Sequence, residues 1–194
     1  MKKKIIVLAV VACLAVMSVV GATLAYLTAT DSAKNTFTFG NVDIAMDDVK
    51  TDLYGKPVEG AARVISNNYK LVPNNTYKKD TTIYVTKGSE ACYLFVKVET
   101  TVEDNENVLT YNFKDGWKSL GNGVYCYETT VDASAATANV SVSVIDSLTV
   151  ANTATDLSAF NEKTVTVIGY AVQAAGFEEA EDAWNATFGA TTNP

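Results

Sequence analysis

Around Cys92 the chain alternates. Cys92, Leu94, Val96 and Val98 make one apolar face, and Lys97 and Glu99 lie on the other. Successive side chains point to opposite faces only in an extended strand, so this period of two marks a half-buried strand. The same signal recurs. Thr36-Phe37-Thr38-Phe39 alternates before Gly40, and Val42 and Ile44 continue it. Ile83-Tyr84-Val85 runs into a turn at Lys87-Gly88. Val140, Val142 and Val144 alternate with Asn139, Ser141 and Ser143, and "TVTVIGYAVQA" from Thr164 to Ala174 reads as a last, long strand. Asn122-Gly123 separates "GWKSL" from "VYCYETT", and that dipeptide favours the positive φ angles of a type I′ hairpin. About eight or nine strands at short spacing predict an all-β fold, a jelly-roll-like antiparallel β-sandwich.

Two stretches depart from the pattern. "ASAATA", residues 133–138, is small and polar and reads as a loop. Residues 177–188 read as a short C-terminal helix: Phe177, Ala180, Trp184 and Phe188 share a face and Gly189 follows as a stop. Trp184 is expected to anchor this helix on the sandwich.

The N-terminus has a different character. Lys2, Lys3 and Lys4 precede an uncharged run from Ile5 to Leu27. A basic segment, an apolar segment and then small residues form an export signal. Thr23-Leu24-Ala25 offers a small-x-small cleavage site, which places the cut between Ala25 and Tyr26. The expected organisation is a helical signal peptide over residues 1–25 and a sandwich domain over 26–194, with 26–46 as an N-terminal strand segment. The competing reading is an uncleaved anchor, since the run is long enough to span a bilayer. Val11-Ala12-Cys13 resembles a lipoprotein box only loosely, because apolar residues continue past Cys13. No Leu-Pro-x-Thr-Gly sorting motif follows the sandwich, so the membrane is expected to be met only through an uncleaved signal.

Charge and residue usage narrow the chemistry. Without Lys2, Lys3 and Lys4, 12 of the 15 basic residues remain against 22 acidic ones, a net charge of −10. Such a surface repels nucleic acid and anionic lipid. The chain has no histidine. Ser-His-Asp and Cys-His catalysis therefore lack their base, and a His-Glu-x-x-His zinc site cannot form. Gly121-Asn122-Gly123 lacks the following helix of a phosphate loop. Acidic stretches at Glu103–Asn107 and at Asp43, Asp47, Asp48 and Asp52 lack the spacing and glycine of a calcium loop and read as solvated acidic patches. No catalytic residue, metal ligand or cofactor is expected. Cys92 and Cys126 are either a disulfide, as an exported protein permits, or two buried thiols acting as small hydrophobes.

The run "GATLAYLTATDSAKNTFTFGNVDIAM" resembles the start of camelysin/TasA-type proteins of Gram-positive bacteria, through Ala25, Tyr26, Ser32, Asn35, Thr36, Phe37, Gly40, Asp43 and Ile44. "KLVPNNTYKKDTTIYVTKGSEACYLFVKVET", residues 70–100, is similar to a second block of that family. It departs by carrying Asn74 where the family has a glycine after proline. The resemblance covers residues 5–100; beyond them it is only a β-rich pattern.

It implies a secreted jelly-roll protein of the cell surface or biofilm matrix, cut before Tyr26 by a dedicated signal peptidase. It also implies self-association, or association with other matrix subunits, with the freed N-terminal strand inserted into the next subunit's sheet. Phe37, Phe39, Val42 and Ile44 are then the assembly-strand residues, with a bulge at Gly40 to switch faces. The alternative is that residues 35–46 pair within their own subunit as a first strand. The family also carries a peptidase claim, which a histidine-free chain does not support. The remaining alternative is a monomeric extracellular module that binds carbohydrate or protein.

Overall fold

In the computed structural model, residues 28–32, 35–38, 41–101, 108–154, 157–160 and 163–189 are described. The proposed signal, Ala25 and Tyr26 lie outside them, as do Phe39, Gly40 and the whole acidic loop at Glu103–Asn107. Among the described residues no helix is long and apolar enough to cross a membrane.

The strands are β1 (Thr28–Ser32), β2 (Asn35–Thr38), β3 (Ile44–Asp47), β4 (Thr76–Val85), β5 (Cys92–Thr100), β6 (Leu109–Phe113), β7 (Trp117–Gly121), β8 (Val124–Tyr127), β9 (Val140–Val150) and β10 (Val165–Gln173). One helix, α1 (Ala180–Phe188), ends the described chain. A six-stranded sheet has the order β2-β1-β10-β5-β8-β7, and a four-stranded sheet has the order β3-β4-β9-β6. Every pairing is antiparallel. The fold is the all-β sandwich the alternation predicts.

The core between the sheets follows the period-two faces. Ile44 from β3, Ile83 and Val85 from β4, Leu94 and Val96 from β5, and Val144 from β9 are all buried in it. Each such side chain contributes roughly 1.5–3 kcal/mol by leaving water. On β5 the alternation understates the burial. Tyr93 and Phe95, on its other face, are also buried, beneath α1. The Trp184 ring lies 5.2 Å from that of Phe95 and 5.4 Å from that of Tyr170. Phe188 stands 5.0 Å from Tyr170, and the Tyr93 hydroxyl donates to the Glu178 carbonyl at 2.9 Å. The anchoring role expected of Trp184 is what this packing shows. The helix starts at Ala180, so Phe177 joins the same cluster from the preceding turn.

The Asn122-Gly123 turn joins β7 to β8 with φ of +51° and +75°, the type I′ geometry. Asn74 takes φ of +59°, a left-handed conformation that asparagine tolerates better than most residues. It thus fills the place of a turn glycine.

Between β3 and β4 a long connection is held by side chains. Asn67 donates to the Val49 carbonyl at 2.7 Å and accepts from the Thr51 amide at 3.0 Å. The buried Tyr77 hydroxyl donates to the Lys70 carbonyl at 2.7 Å and accepts from the Val72 amide at 2.8 Å. Arg63, the chain's single arginine, reaches Asp47 Oδ1 at 2.5 Å, Asp80 Oδ2 at 2.9 Å, the Asp80 carbonyl at 2.6 Å and Thr82 Oγ1 at 3.1 Å. Asp80 sits at φ +59° where the β4–β9 register shifts. The guanidinium fork thereby clamps a bulge to the connection.

Candidate functional site: a sheet edge and an inter-sheet cleft

The N-terminal strand segment divides between the two sheets. Its first part is a hairpin at the rim of the six-stranded sheet. Thr28, Ala29, Thr30 and Asp31 of β1 face Val172, Ala171, Tyr170 and Gly169 of β10, and among the described residues β2 pairs only with β1. Phe37 lies in β2, opposite Thr30. Its last part enters the other sheet. Val42 is fully buried, and Ile44 begins β3 opposite Val85. Phe37 and Ile44 therefore belong to different sheets, and Val42 and Ile44 line the core of their own subunit.

β10 is unevenly covered. All nine of its residues pair with β5 on one side. On the other side β1 reaches only Gly169 to Val172. Among the described residues no strand pairs with Val165–Ile168 on that side. A half-edge of this kind presents N–H and C=O groups to an added strand.

Beside this half-edge the sheets part, leaving a cleft of about 1010 Å³. Met46, Asp48, Lys79, Thr81 and Leu148 line it from the four-stranded sheet, and Val165 and Val167 from β10. Leu157 and Phe160, flanking a short 3-10 turn, line it further. The exposed side chains of Ile65 and Val165 add apolar surface.

The polar part of the cleft has an unusual electrostatic arrangement. Asp48 is only 7% exposed. Its Oδ2 accepts from Lys79 Nζ at 2.9 Å and from Thr81 Oγ1 at 3.4 Å. Its Oδ1 is buried without a hydrogen-bond partner. Burial pushes its pKa above the usual carboxylate range, against the opposing pull of Lys79. The nearby Val49 amide also favours the charged form, but its hydrogen bond goes to the Lys79 carbonyl at 3.3 Å. Lys79 Nζ also sits 5.7 Å from the centre of the Tyr69 ring.

The other acidic residues of this patch are dispersed. Asp47 pairs with Arg63. Asp52 accepts from the Tyr54 and Lys56 amides and so closes a turn. Asp43 accepts from Thr86 at 3.1 Å. Among the described residues no group of three or more metal-ligating side chains converges.

Cys92 and Cys126 are both buried free thiols. Cys92 lies in the inter-sheet core with Leu94 and Val96, whereas Cys126 faces α1 with Phe95, its cross-strand partner. The two sulfurs are thus on opposite faces of one sheet, and the disulfide alternative is not the one this arrangement contains.

Comparison with known proteins is silent: no family model matches the chain, and no curated protein or solved structure matches it.

Proposed function

We propose that this is an exported structural protein of the cell surface or extracellular matrix, which self-associates by exchanging its N-terminal strand segment. The observation that carries the reading is the placement of β1 and β2. They form a hairpin whose only sheet pairing to the rest of the described chain is with β10. A hairpin so attached can leave its own β10 and be replaced by that of a second copy. The exchange re-forms the same backbone ladder, so concentration and tethering decide between the closed and exchanged forms.

If each subunit gives its hairpin to the next, the contact is heterologous and propagates as a fibre. The likeness of residues 5–100 to camelysin/TasA-type proteins supports the same reading, as does the basic, apolar and small-residue order of the N-terminus. Retention of the apolar N-terminus would hold the hairpin at the membrane, so cleavage before Tyr26 would license assembly. In this reading the protein acts by association and not by catalysis.

The test is N-terminal sequencing and size analysis of the protein recovered from its native culture, with Thr30→Pro alongside. Thr30 sits between Phe37 and Tyr170, and proline there removes an amide from the ladder. A Tyr26 start, large assemblies and their loss in Thr30→Pro are the expected results. A Tyr26 start with monomers only, or assemblies indifferent to Thr30→Pro, overturns strand exchange. An intact N-terminus in the membrane fraction overturns release.

A further inference from the structure

The tip of the β7–β8 hairpin has to satisfy two requirements in adjacent residues. Asn122 takes φ of +51° and Gly123 of +75°, and left-handed backbone of this kind favours glycine, with asparagine and aspartate next. At position 123 a Cβ would stand 2.6 Å from the Val98 carbonyl oxygen, so only glycine fits without movement of the backbone. The chain contains no other asparagine followed by glycine.

The fold thereby sets a side-chain carboxamide beside an unshielded backbone nitrogen. Asn122 is exposed. The Gly123 carbonyl accepts from the Val98 amide at 2.9 Å, whereas the Gly123 amide donates to no group among the described residues. Glycine carries no side chain to hinder attack by its own nitrogen on the preceding Cγ, and the two atoms close a small ring, so the step is intramolecular. Its gate is conformational. Ring closure turns Asn122 out of its left-handed state, so the hairpin tip must open. Among the described residues β7 pairs with β8 alone, and a rim element of this kind opens more readily than the sheet interior.

We propose that Asn122 is a self-modification site at which the Gly123 nitrogen displaces ammonia, converting the hairpin tip to aspartate or isoaspartate. The Gly123 nitrogen bonds to Asn122 Cγ, the carboxamide C–N bond breaks, and the Gly123 amide proton leaves with the departing nitrogen as ammonia. Water then opens the cyclic imide. Cleavage at Cγ restores the original backbone with an aspartate. Cleavage at the other carbonyl leaves the backbone running through Cγ, longer by a methylene. Either product adds a negative charge. Aspartate tolerates the left-handed turn. Isoaspartate does not fit the two-residue loop whose geometry fixes the hairpin register. The isoaspartyl form therefore loosens β7 and bares the edge of β8, and a bared edge offers its backbone groups for pairing. The inference does not depend on hairpin exchange at β10.

The experiment takes the protein recovered from its native culture and ages it in heavy-oxygen water, at mildly alkaline and mildly acidic pH, with peptide mass mapping over time. The exposed Asn68 and Asn152, each followed by a residue with a side chain, are internal comparators. The expected result is replacement of the Asn122 nitrogen by heavy oxygen, ahead of Asn68 and Asn152, faster at alkaline pH and faster still in denaturant. Hydrogen exchange should then show lost protection across residues 117–127 in the isoaspartyl form and retained protection in the aspartyl form. Asn122→Gly suits the same turn and removes the carboxamide, so its peptide should take up no heavy oxygen while the hairpin stays protected. An Asn122 that reacts no faster than Asn68 and Asn152, a rate that denaturant does not raise, or an isoaspartyl form with full protection of β7 each overturn the proposal.

Discussion

The β7–β8 hairpin carries two glycines with positive φ, and they separate conformational strain from steric contact. Gly121 has φ of +91° and Gly123 of +75°. A Cβ on Gly121 would meet nothing within 4 Å, whereas one on Gly123 would stand 2.6 Å from the Val98 carbonyl oxygen. Alanine at either position takes on the left-handed penalty of about 1–2 kcal/mol. Part of it, about 0.4–1 kcal/mol, is offset by lower entropy in the unfolded chain. Gly121→Ala should therefore destabilise by about 1 kcal/mol. Gly123→Ala must in addition move backbone that cannot swing aside like a side-chain tip. The Val98 amide donates to the Gly123 carbonyl at 2.9 Å, so the movement strains that bond too, adding about 1–2 kcal/mol. In a domain of this size 1 kcal/mol shifts Tm by about 2–4 °C. Thermal and urea unfolding of the two variants, measured side by side, should show a loss for Gly123→Ala at least twice that for Gly121→Ala. Equal losses would refute the steric part of the argument, and no loss in either would refute the turn geometry.

The buried thiols should resist alkylation in the folded protein and react at both Cys92 and Cys126 in denaturant without reductant, as peptide mass mapping reads directly; burial, aided by Asp132, holds the Cys92 thiol at about 12. Hydrogen bonds from Lys114 and Lys78 hold the Asp146 carboxyl at about 2, below its unfolded value of 3.8. Its stabilisation is therefore complete above that unfolded value and is lost as pH falls toward 2. Because the side chain is 36% exposed, screening limits this to about 1 kcal/mol or less, and Asp146→Asn should remove that share of the acid dependence of urea midpoints. Arg63→Met should destabilise by about 2 kcal/mol through four lost charge-assisted or polar contacts. Arg63→Lys should recover little of it, because an ammonium cannot span three residues as the fork does; full recovery in urea unfolding would overturn the clamp. Replacing Asp48 and Lys79 together by leucine and methionine should be neutral or stabilising, while Lys79→Met alone is destabilising and more so as pH rises and Asp48 ionises; denaturation at two pH values tests both.

Strand existence was legible because alternation is local. Val140, Val142 and Val144 announce β9, and Asn122-Gly123 announces a reversal with a defined hand. What alternation does not encode is the partner. Lys87-Gly88 reverses the chain as expected, but β4 and β5 join different sheets, so the turn is a crossing and not a hairpin. Tyr93 and Phe95 are buried because α1 covers them, a contact between segments far apart in sequence. The choice between disulfide and thiols turned on register: Cys126 stands opposite Phe95, whose side chain has the opposite parity to Cys92. No local pattern carries that information. The register shifts along β9 explain a further departure. Val144 and Ile145 are both buried where strict alternation would put one outward.

The cleft was only half legible, and the missing half is instructive. Asp43, Asp47, Asp48 and Asp52 read as one solvated patch, yet adjacent strand positions face opposite ways. Ile44, Met46 and Asp48 share a parity, and Ile44 is buried. Carrying β3 one residue further therefore turns Asp48 inward and leaves Asp47 to Arg63. Its partner needed the β3–β4 register: Asp47 faces Thr82, which brings Thr81 and then Lys79 alongside Asp48. The sequence contains no shorter route to that pair. A buried ion pair contributes little net stability compared with an apolar pair of the same volume. The pair stands beside a cleft that mixes apolar and charged side chains, Lys70 and Lys163 among them, and what it contributes there is the placing of Asp48 against Lys79 and Thr81 where the chain runs on past β3.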